Sequence, residues 1–402
     1  MQPLERHTAH LVPRAEVAAR IRALQETLAR EEVALAYIDH LTDRLYYAGT
    51  IQEGVLLVPA AGEARFYARK SFSRAEQESP LPVEPFPGRR GLAALLEERG
   101  VRGARVGLAL DVTPAPTYLW LTEKVGAQAV DLALAIRLQK AVKSAWELAQ
   151  ITRAAEQANR VLAAAPELLR LGATELEVSA EIEKRLRLGG HPGTLRIRRP
   201  GLELGMIYVV SGAGGLYPTN FDGPDGAEGL YPTAVSGAGR KELAAGETVM
   251  IDMVSSYNGY QADTTRLFAV GREVPQEAAR AQRFCLDVLA RIEAQLKPGA
   301  NCGAIYRETL AWAQERGLPE GFMGYGENQV KFFGHGVGLD LDGFPILAAK
   351  VDLELAENMV IAVEPKAFLT GVGPVGVENT YRITADGCES FCPLEGEIVA
   401  RV

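Results

Sequence analysis

The sequence predicts two domains, an α/β domain over residues 1–137 followed by an α+β domain over residues 138–402. Three observations lead to this prediction. The chain has 402 residues, more than a single hydrophobic core usually serves. Short apolar runs alternate with helical patterns in its first third, as they do in α/β domains. The rest begins with alanine-rich helical patterns and continues with apolar runs joined by tight turns, which indicates helices packed on antiparallel strands.

The N-terminal domain begins with a predicted helix, because Val17, Ile21, Leu24 and Leu28 recur at helical spacing. Apolar runs broken by proline and glycine predict strands after it. The predicted elements are strands at 33–38, 55–59 and 64–68, a helix at 92–99 and a strand at 105–110. We place the domain boundary near Arg137, where the pattern changes to long helix.

The C-terminal domain opens with a predicted helix over 141–171. Ser144 followed three residues later by Glu147 has the spacing of a capping box. Further helices are predicted at 176–188, 277–296 and 302–316, and strands at 248–255, 260–270, 359–368 and 376–384. Residues 209–240 are rich in glycine and proline, and the word Gly-Leu-Tyr-Pro-Thr at 215–219 returns at 229–233. This segment is either a plain surface loop or the rim of an active site.

The composition excludes several classes of protein. Hydrophobic residues make up 47% of the chain and charged residues 23%, a balance typical of a packed globular protein. The net charge is -8 and no dense basic block occurs, so neither a nucleic acid nor an acidic membrane is expected as a partner. No apolar run reaches membrane-spanning length, and the first residues are polar, so we expect a cytoplasmic protein with four reduced cysteines.

Two acids fall in apolar strand sequence before and after a tight turn. Asp252 follows Thr-Val-Met-Ile, where an unpaired carboxylate is costly. Asn258-Gly259 is a strong signal for a two-residue hairpin loop. That loop places Asp252 opposite Thr265 and makes Asp263 its diagonal neighbour on the same face of the sheet, within reach of a shared cation.

A second predicted hairpin repeats the arrangement. Glu364 and Glu378 are equidistant from Gly371, so we expect them to face each other across paired strands. Facing carboxylates destabilise a sheet unless a positive charge lies between them. Four acids in apolar strand sequence therefore predict a cluster of carboxylates that binds cations. His335, flanked by glycines that allow close approach, is the natural nitrogen ligand beside them.

These residues match a known family. In chain order the matching words are Asp252-x10-Asp263-x-Thr265-Arg266, Gly334-His335-Gly336-Val337-Gly338, Val363-Glu364-Pro365 and Glu378. They resemble the pita-bread metallopeptidases, a family of Xaa-Pro aminopeptidases, prolidases and methionine aminopeptidases that also includes the metal-free creatinases. The N-terminal domain resembles the creatinase/prolidase N-terminal domain, so the resemblance covers essentially the whole chain and implies a pita-bread fold for the catalytic domain.

The resemblance implies a hydrolase with two divalent metal ions, in which a hydroxide held between the ions attacks an amide carbonyl of a small peptide-like substrate. Asp252 would chelate one ion, Asp263 and Glu378 would bridge both, and His335 and Glu364 would complete the shell of the other. Glu364 would also act as general base. Four carboxylates and one imidazole suit Mn²⁺, Co²⁺ or Fe²⁺ at least as well as Zn²⁺. The resemblance also implies a homodimer.

The chain departs from the family at the groups that handle the peptide. Active peptidases usually carry histidine where this chain has Asp342, a second histidine within the segment that here is 209–238, and arginine where this chain has Gly376. We expect Asp342 to act on the substrate as an anchor for a cationic group or as a base, and ordinary Xaa-Pro dipeptides to turn over poorly. His191, the remaining spare histidine of the domain, is expected in an exposed turn.

Two alternatives stay open at the level of sequence. One is a non-peptidase enzyme on the same scaffold, either a hydrolase of a small amide or guanidino compound or a lyase that uses Asp342 as base. The other is a binding protein with weak catalysis. A decaying site should lose its ligands, and all five are present in this chain.

Overall fold

The computed structural model describes residues 5–393 and 396–401. The chain divides into two compact units, Met1–Lys140 and Ala141–Val402. The division lies close to Arg137, where the sequence pattern changes.

The first unit is built on one six-stranded sheet. Its helices are α1 Arg14–Arg30, α2 Leu41–Ala48, α3 Phe72–Glu78, α4 Gly88–Glu98, α5 Ala115–Leu119 and α6 Ala133–Ala141, within which the division falls, with a 3₁₀ turn at Glu5–His10 and a π-helical turn at Trp120–Val125. Its strands are β1 Leu35–Ile38, β2 Gly54–Pro59, β3 Arg65–Ala68, β4 Val83–Pro85, β5 Arg105–Leu108 and β6 Gln128–Asp131.

The strand order of this sheet is β4-β3-β2-β1-β5-β6. The β1–β2 and β2–β3 pairs are antiparallel, whereas β1–β5 and β5–β6 are parallel. Leu57 and Val106 from the strands share a buried cluster with Leu92 and Leu96 of α4, because the strand residues alternate sides and the helix residues lie one turn apart. The α/β class predicted for this domain is confirmed.

In its described residues, the second unit has four long helices, two sheets and a separate hairpin. Its helices are α7 Ala145–Ala163, α8 Glu175–Leu188, α9 Gln276–Glu293 and α10 Cys302–Glu315, with 3₁₀ turns at Ala165–Glu167, Gly212–Leu216 and Gly326–Asn328. Its strands are β7 Ile207–Ser211, β8 Thr248–Tyr257, β9 Tyr260–Val270, β10 Phe332–Gly336, β11 Gly343–Ala348, β12 Val360–Val363, β13 Lys366–Leu369, β14 Gly373–Gly376, β15 Asn379–Ile383, β16 Cys388–Ser390 and β17 Val399–Arg401.

The strands group in the orders β11-β10-β12-β15-β16, β17-β9-β8-β7 and β13-β14. The predicted capping box forms at the start of α7, where Ser144 accepts from the Glu147 amide and Glu147 reciprocates. The helix is shorter than the 141–171 predicted, because it ends at Ala163 before a 3₁₀ turn. Within the part of the chain that the structure describes, no helix combines the length and the apolar character that crossing a membrane needs.

The β8–β9 hairpin has the predicted register. Asn258 and Gly259 form its two-residue loop with φ values of 50° and 86°, as a type I′ turn requires. Asp252 pairs with Thr265, and Asp263 is two pairs further along, opposite Val254. The odd-numbered residues of β8 pack into the buried cluster formed by α7 and α8, so Asp252 points to the other face of the sheet.

The second predicted hairpin differs from the expectation, because both of its strands are interrupted. β12 pairs with β15 in the five-stranded sheet, whereas β13 pairs with β14 as a separate hairpin. The break falls at Glu364-Pro365 on one strand and Val377-Glu378 on the other. The register on each side of the break keeps Glu364 opposite Glu378, as predicted, but the continuous strands predicted over 359–368 and 376–384 are each interrupted at these residues.

Proline explains the break. Pro365 has no N–H to give to a ladder, so pairing is interrupted there. Each acid bonds to a different strand instead. The Glu364 N–H donates to the carbonyl of Phe333 on β10 at 3.0 Å, and the Glu378 N–H donates to the carbonyl of Thr265 on β9 at 3.3 Å. The break therefore places each glutamate next to a strand that carries another of the predicted ligands.

Candidate metal centre

The second unit brings the five predicted ligand residues into one region. Nε2 of His335, on β10, lies 3.6 Å from Oε1 of Glu364 and 3.9 Å from both Oδ2 of Asp263 and Oε1 of Glu378. Asp252 joins the group through a shared contact with Lys366. Side chains up to 126 residues apart in sequence thus converge because β8, β9 and β10 meet at the break in the second hairpin.

Asp263, His335 and Glu378 form the part of this region best suited to an ion. One donor atom from each residue lies within 4.8 Å of the other two. These separations are too long for direct hydrogen bonds, and they match ligand atoms arranged around one ion at about 2.0–2.2 Å each. Oxygen and imidazole donors of this kind are common ligands of divalent transition metals.

Two carboxylate oxygens in this group have no hydrogen-bond partner. Oδ1 of Asp263 and Oε1 of Glu378 are both buried and both unpartnered. A buried polar atom in that state is costly, because it has lost water without compensation. Burial, together with the neighbouring carboxylates, raises the pKa values of both acids well above their usual range. A cation at these oxygens would relieve both costs, so the residues present fit a metal ion.

The tautomer of His335 also fits a ligand role. Its Nδ1 lies 2.8 Å from the carbonyl oxygen of Leu341. A carbonyl only accepts, so Nδ1 carries the proton and Nε2 offers its lone pair toward the three carboxylates. Such a hydrogen bond on the far nitrogen is the usual way in which proteins orient a metal-binding imidazole.

Threonine and arginine side chains hold the carboxylates in place. Thr265 Oγ1 donates to Oε2 of Glu378 at 3.0 Å, and Thr380 Oγ1 donates to the carbonyl oxygen of Asp263 at 2.7 Å. The guanidinium of Arg266 donates to the carbonyl oxygen of Glu378 at 2.9 Å. These contacts fix the backbone and one oxygen of Glu378, and they leave its other oxygen free.

Lys366 is the principal residue of the region that the sequence did not predict. It follows the Glu364-Pro365 break and is fully buried. Its Nζ lies 2.7 Å from Oδ2 of Asp252, 3.0 Å from Oε2 of Glu364 and 3.4 Å from Oε2 of Glu378. Burial alone would lower the pKa of Lys366, but the surrounding carboxylates outweigh it and hold that pKa well above its usual range, so the side chain is an ammonium.

Asp225 is the second residue that sequence reasoning missed. It lies in the glycine-rich loop, residues 212–240, within the turn-like word Gly-Pro-Asp-Gly. Its Oδ1 nevertheless reaches to 3.4 Å from Nζ of Lys366, and burial raises its pKa to about 7 against the lowering effect of that ammonium. Of the two interpretations of this loop, contact with the site is the one that the structure supports.

Glu175, at the first position of α8, holds both ends of the glycine-rich loop. Its Oε1 accepts from the amide of Ser211 at 2.6 Å and from the hydroxyl at 2.8 Å, and its Oε2 accepts from the amide of Gly239 at 3.0 Å. The carboxylate is buried. The loop that carries Asp225 is thus closed at its base by one side chain.

The surroundings of Asp342 and His191 differ from those of the five predicted ligand residues. Asp342 is half-buried, its Oδ1 accepts from the backbone N–H of Arg198 at 3.2 Å, and burial raises its pKa. The expectation that His191 is exposed is wrong, because its side chain is buried between Val254 and Gly193. The residue packs back against β8 after the end of α8, so the turn in which it lies is covered.

Comparison with known families agrees with the geometry. A model described as "Metallopeptidase family M24" matches residues 149–385, and one described as "Creatinase/Prolidase N-terminal domain" matches residues 20–142. Among similar proteins, the Xaa-Pro dipeptidase of Pyrococcus furiosus is 24% identical over 385 residues, which cover 94% of this chain and 99% of that protein. The probable dipeptidase PepE of Mycobacterium tuberculosis is 30% identical over 306 residues, covering 73% and 70%.

Solved structures share the fold across both units. Dipeptidase PepE from Mycobacterium ulcerans matches with a TM-score of 0.80 at 22% identity, over 97% of this chain and 99% of that one. The X-Pro aminopeptidase from Thermotoga maritima matches with a TM-score of 0.78 at 20% identity, over 95% and 99%. At these identities the likeness establishes the fold, and the fold is the pita-bread arrangement that the sequence motifs implied.

Proposed function

Because the chain belongs to metallopeptidase family M24, we propose that it is a metal-dependent dipeptidase that cleaves the bond before proline in short peptides. The observation that carries the proposal is the convergence of Asp263, His335 and Glu378, with two buried carboxylate oxygens left without partners. Similar proteins named Xaa-Pro dipeptidase supply the substrate class. The non-peptidase and binding-protein alternatives have no comparable support.

The residues of the region have proposed roles in catalysis. Asp263, His335 and Glu378 would hold the ion, with the carboxylates of Asp252 and Glu364 in the same region. When bound, a divalent ion supplies a nucleophile at neutral pH and polarises the carbonyl that is attacked. Glu364 takes the proton of the attacking water at Oε1, the oxygen that faces His335 at 3.6 Å, while its Oε2 accepts from Lys366. It then returns the proton to the leaving amine.

Asp342 remains part of the proposal for substrate binding. It occupies the place where related peptidases carry a histidine that donates to the developing oxyanion, and a carboxylate cannot donate that bond. Losing one such donor costs about 10²–10³ in rate. We therefore propose modest turnover of neutral Xaa-Pro dipeptides and a preference for substrates with a positive charge near the scissile bond.

The remaining features of the proposal concern the ion and the assembly. The donors are mainly carboxylates, which favours Mn²⁺, Co²⁺ or Fe²⁺ at least as well as Zn²⁺. Two ions are the number that the family resemblance implies. A homodimer is proposed on the same resemblance, and a cytoplasmic location is proposed on the composition and cysteine content of the chain.

The decisive experiment removes metal by chelation, restores Mn²⁺, and measures hydrolysis of Ala-Pro, Lys-Pro and Ala-Ala. We expect activity only after metal is restored, no hydrolysis of Ala-Ala, and a higher kcat/KM for Lys-Pro than for Ala-Pro. The variant His335→Ala should lose at least about 10²-fold in kcat/KM, since the only nitrogen ligand is gone.

His10→Ala is the matched control, because it removes an exposed histidine of the N-terminal unit and should leave activity unchanged. Full activity of the chelated protein, or of His335→Ala, would refute the proposal. Equal kcat/KM for Lys-Pro and Ala-Pro would contradict the role proposed for Asp342 and leave the peptidase assignment standing.

A further inference from the structure

Lys366 stands where a second metal ion would have to bind. We infer that its ammonium permanently replaces the ion that Asp252 would otherwise chelate, so that the centre holds a single divalent ion at Asp263, His335 and Glu378. The inference rests on the proposed metal-dependent function and specifies the composition of its site.

The contacts of Lys366 Nζ are the first support for this inference. The shortest is 2.7 Å to Oδ2 of Asp252, followed by 3.0 Å to Oε2 of Glu364. Each of these oxygens accepts a charge-assisted hydrogen bond, which directs its lone pair at the ammonium. A second divalent ion at Asp252 would need the same oxygen and would stand next to a like charge.

The ammonium and the free donors occupy different parts of the region. Lys366 binds Asp252 and Glu364, and the donors that lie within 4.8 Å of one another belong to Asp263, His335 and Glu378. Two glutamates reach both groups: Glu364 has Oε2 toward Lys366 at 3.0 Å and Oε1 3.6 Å from Nε2 of His335, and Glu378 has Oε2 toward Lys366 at 3.4 Å and Oε1 unpartnered. The carboxylates are thus divided between one built-in cation and one set of residues suited to bind a metal ion.

The opposite strand carries glycine where it faces the lysine. Lys366 pairs with Gly376 across the β13–β14 hairpin. A Cβ at Gly376 would stand 2.6 Å from Cγ of Lys366, 2.7 Å from its Cα and 2.8 Å from the carbonyl oxygen of Pro365. Backbone and lysine stem both exclude a side chain there, so no side chain at position 376 enters the space beside Lys366.

The lysine side chain is enclosed in this arrangement. Its side chain is 1% exposed, and buried Asp225 of the glycine-rich loop lies against Nζ at 3.4 Å. Withdrawing the ammonium to admit a second ion would mean moving that loop or leaving a buried charge unpaired, and an unpaired buried charge is strongly disfavoured.

Metal stoichiometry tests the inference without any measurement of catalysis. Metal-free protein is dialysed against excess Mn²⁺, and bound metal is counted by elemental analysis. The wild type should bind one ion per chain, and Lys366→Met should bind two, since Met keeps the volume and removes the charge. Electron paramagnetic resonance gives a second readout: isolated Mn²⁺ in the wild type and a spin-coupled pair in the variant.

Lys140→Met is the control, because Lys140 is ion-paired to buried Asp43 in the other unit, and its loss should leave one ion bound. Two ions in the wild type, none in the wild type, or one in a folded Lys366→Met would each overturn the inference. The number of ions bound by the wild type tests the inference even if Lys366→Met fails to fold. One bound ion without peptidase activity would refute the proposed function and leave this inference intact. An active peptidase with two bound ions would refute this inference and leave the proposed function intact.

Discussion

The buried imidazole of His191 shows how a single side chain couples stability to pH. Nδ1 accepts from the N–H of Gly193 at 2.9 Å, and Nε2 lies 3.2 Å from the carbonyl oxygen of Val254. Only the neutral form with its proton on Nε2 satisfies both neighbours. Burial lowers the pKa of His191, with the nearby charge of Arg187 acting in the same direction.

This environment makes His191 destabilising at low pH. Its folded pKa lies below the unfolded value of about 6.5, so the unfolded chain binds the proton more readily. Its contribution to stability is present above about pH 6.5 and is lost as the pH falls toward the folded pKa. Urea unfolding of wild type and His191→Gln at pH 7.5 and 5.5 should show the smaller pH dependence in the variant.

His10→Gln, at an exposed position, serves as the control and should keep the wild-type dependence. Taking the difference between proteins removes the contribution of the many carboxylates that also titrate. An identical loss of stability in His191→Gln would mean that the imidazole is not what responds to pH.

Single residues also mark the limit of what the sequence predicts. Asp252 and Glu378 could be found because a carboxylate in apolar strand sequence is out of place. Lys366 begins a strand and Asp225 lies in a turn-like word, and both are ordinary places for a charge. Their burial arises only when the loop and the β13–β14 hairpin meet. Likewise, a histidine before proline looks like an exposed turn until β8 covers it.

At the scale of elements, Glu175 connects a helix to the glycine-rich loop. Glu175→Ala leaves the amides of Ser211 and Gly239 without their acceptor, and each unsatisfied buried donor costs about 1–3 kcal/mol. We expect the free energy of unfolding to fall by about 3 kcal/mol, with new proteolytic cleavage between residues 212 and 240. Chemical unfolding and limited proteolysis measure the two effects.

Glu177→Ala is the matched control on the same helix. Glu177 is exposed and closes the capping box with Thr174, so its loss should cost about 1 kcal/mol and leave the loop resistant to protease. If both variants behaved alike, the clamp at the base of the loop would contribute nothing of its own.

The two hairpins explain why one element was predicted and the other only in part. In β8–β9 the signal is local, because Asn258-Gly259 fixes the turn and the turn fixes every pair along two long strands. In the second hairpin the register is right on both sides, but Pro365 interrupts the ladder. The partners that replace the lost hydrogen bonds come from β9 and β10, which are distant in sequence.

For the whole molecule, the class of each unit and the order of most elements could be predicted from periodicity and turn signals. The composition of the sheets could not. β17 runs parallel to β9 at the edge of its sheet, with Val399 paired to Phe268. A pairing between segments so far apart depends on how the rest of the unit folds, and no local pattern encodes it.

The break in the second hairpin has a consequence for how the site can open. The Glu364 amide is bonded to Phe333 on β10, which carries His335, and the Glu378 amide is bonded to Thr265 on β9, next to Asp263. Glu364 and Glu378 are therefore each tied to the strand of another ligand, so neither can fray away by itself. In hydrogen exchange these amides should belong to one cooperative unit, exchanging at a common slow rate only when the core of the second unit unfolds. Mass-spectrometric exchange should find them slow in metal-free protein too, with the glycine-rich loop faster; rapid exchange at 364 and 378 before metal is added would mean that the ion, and not the backbone, holds the strands together.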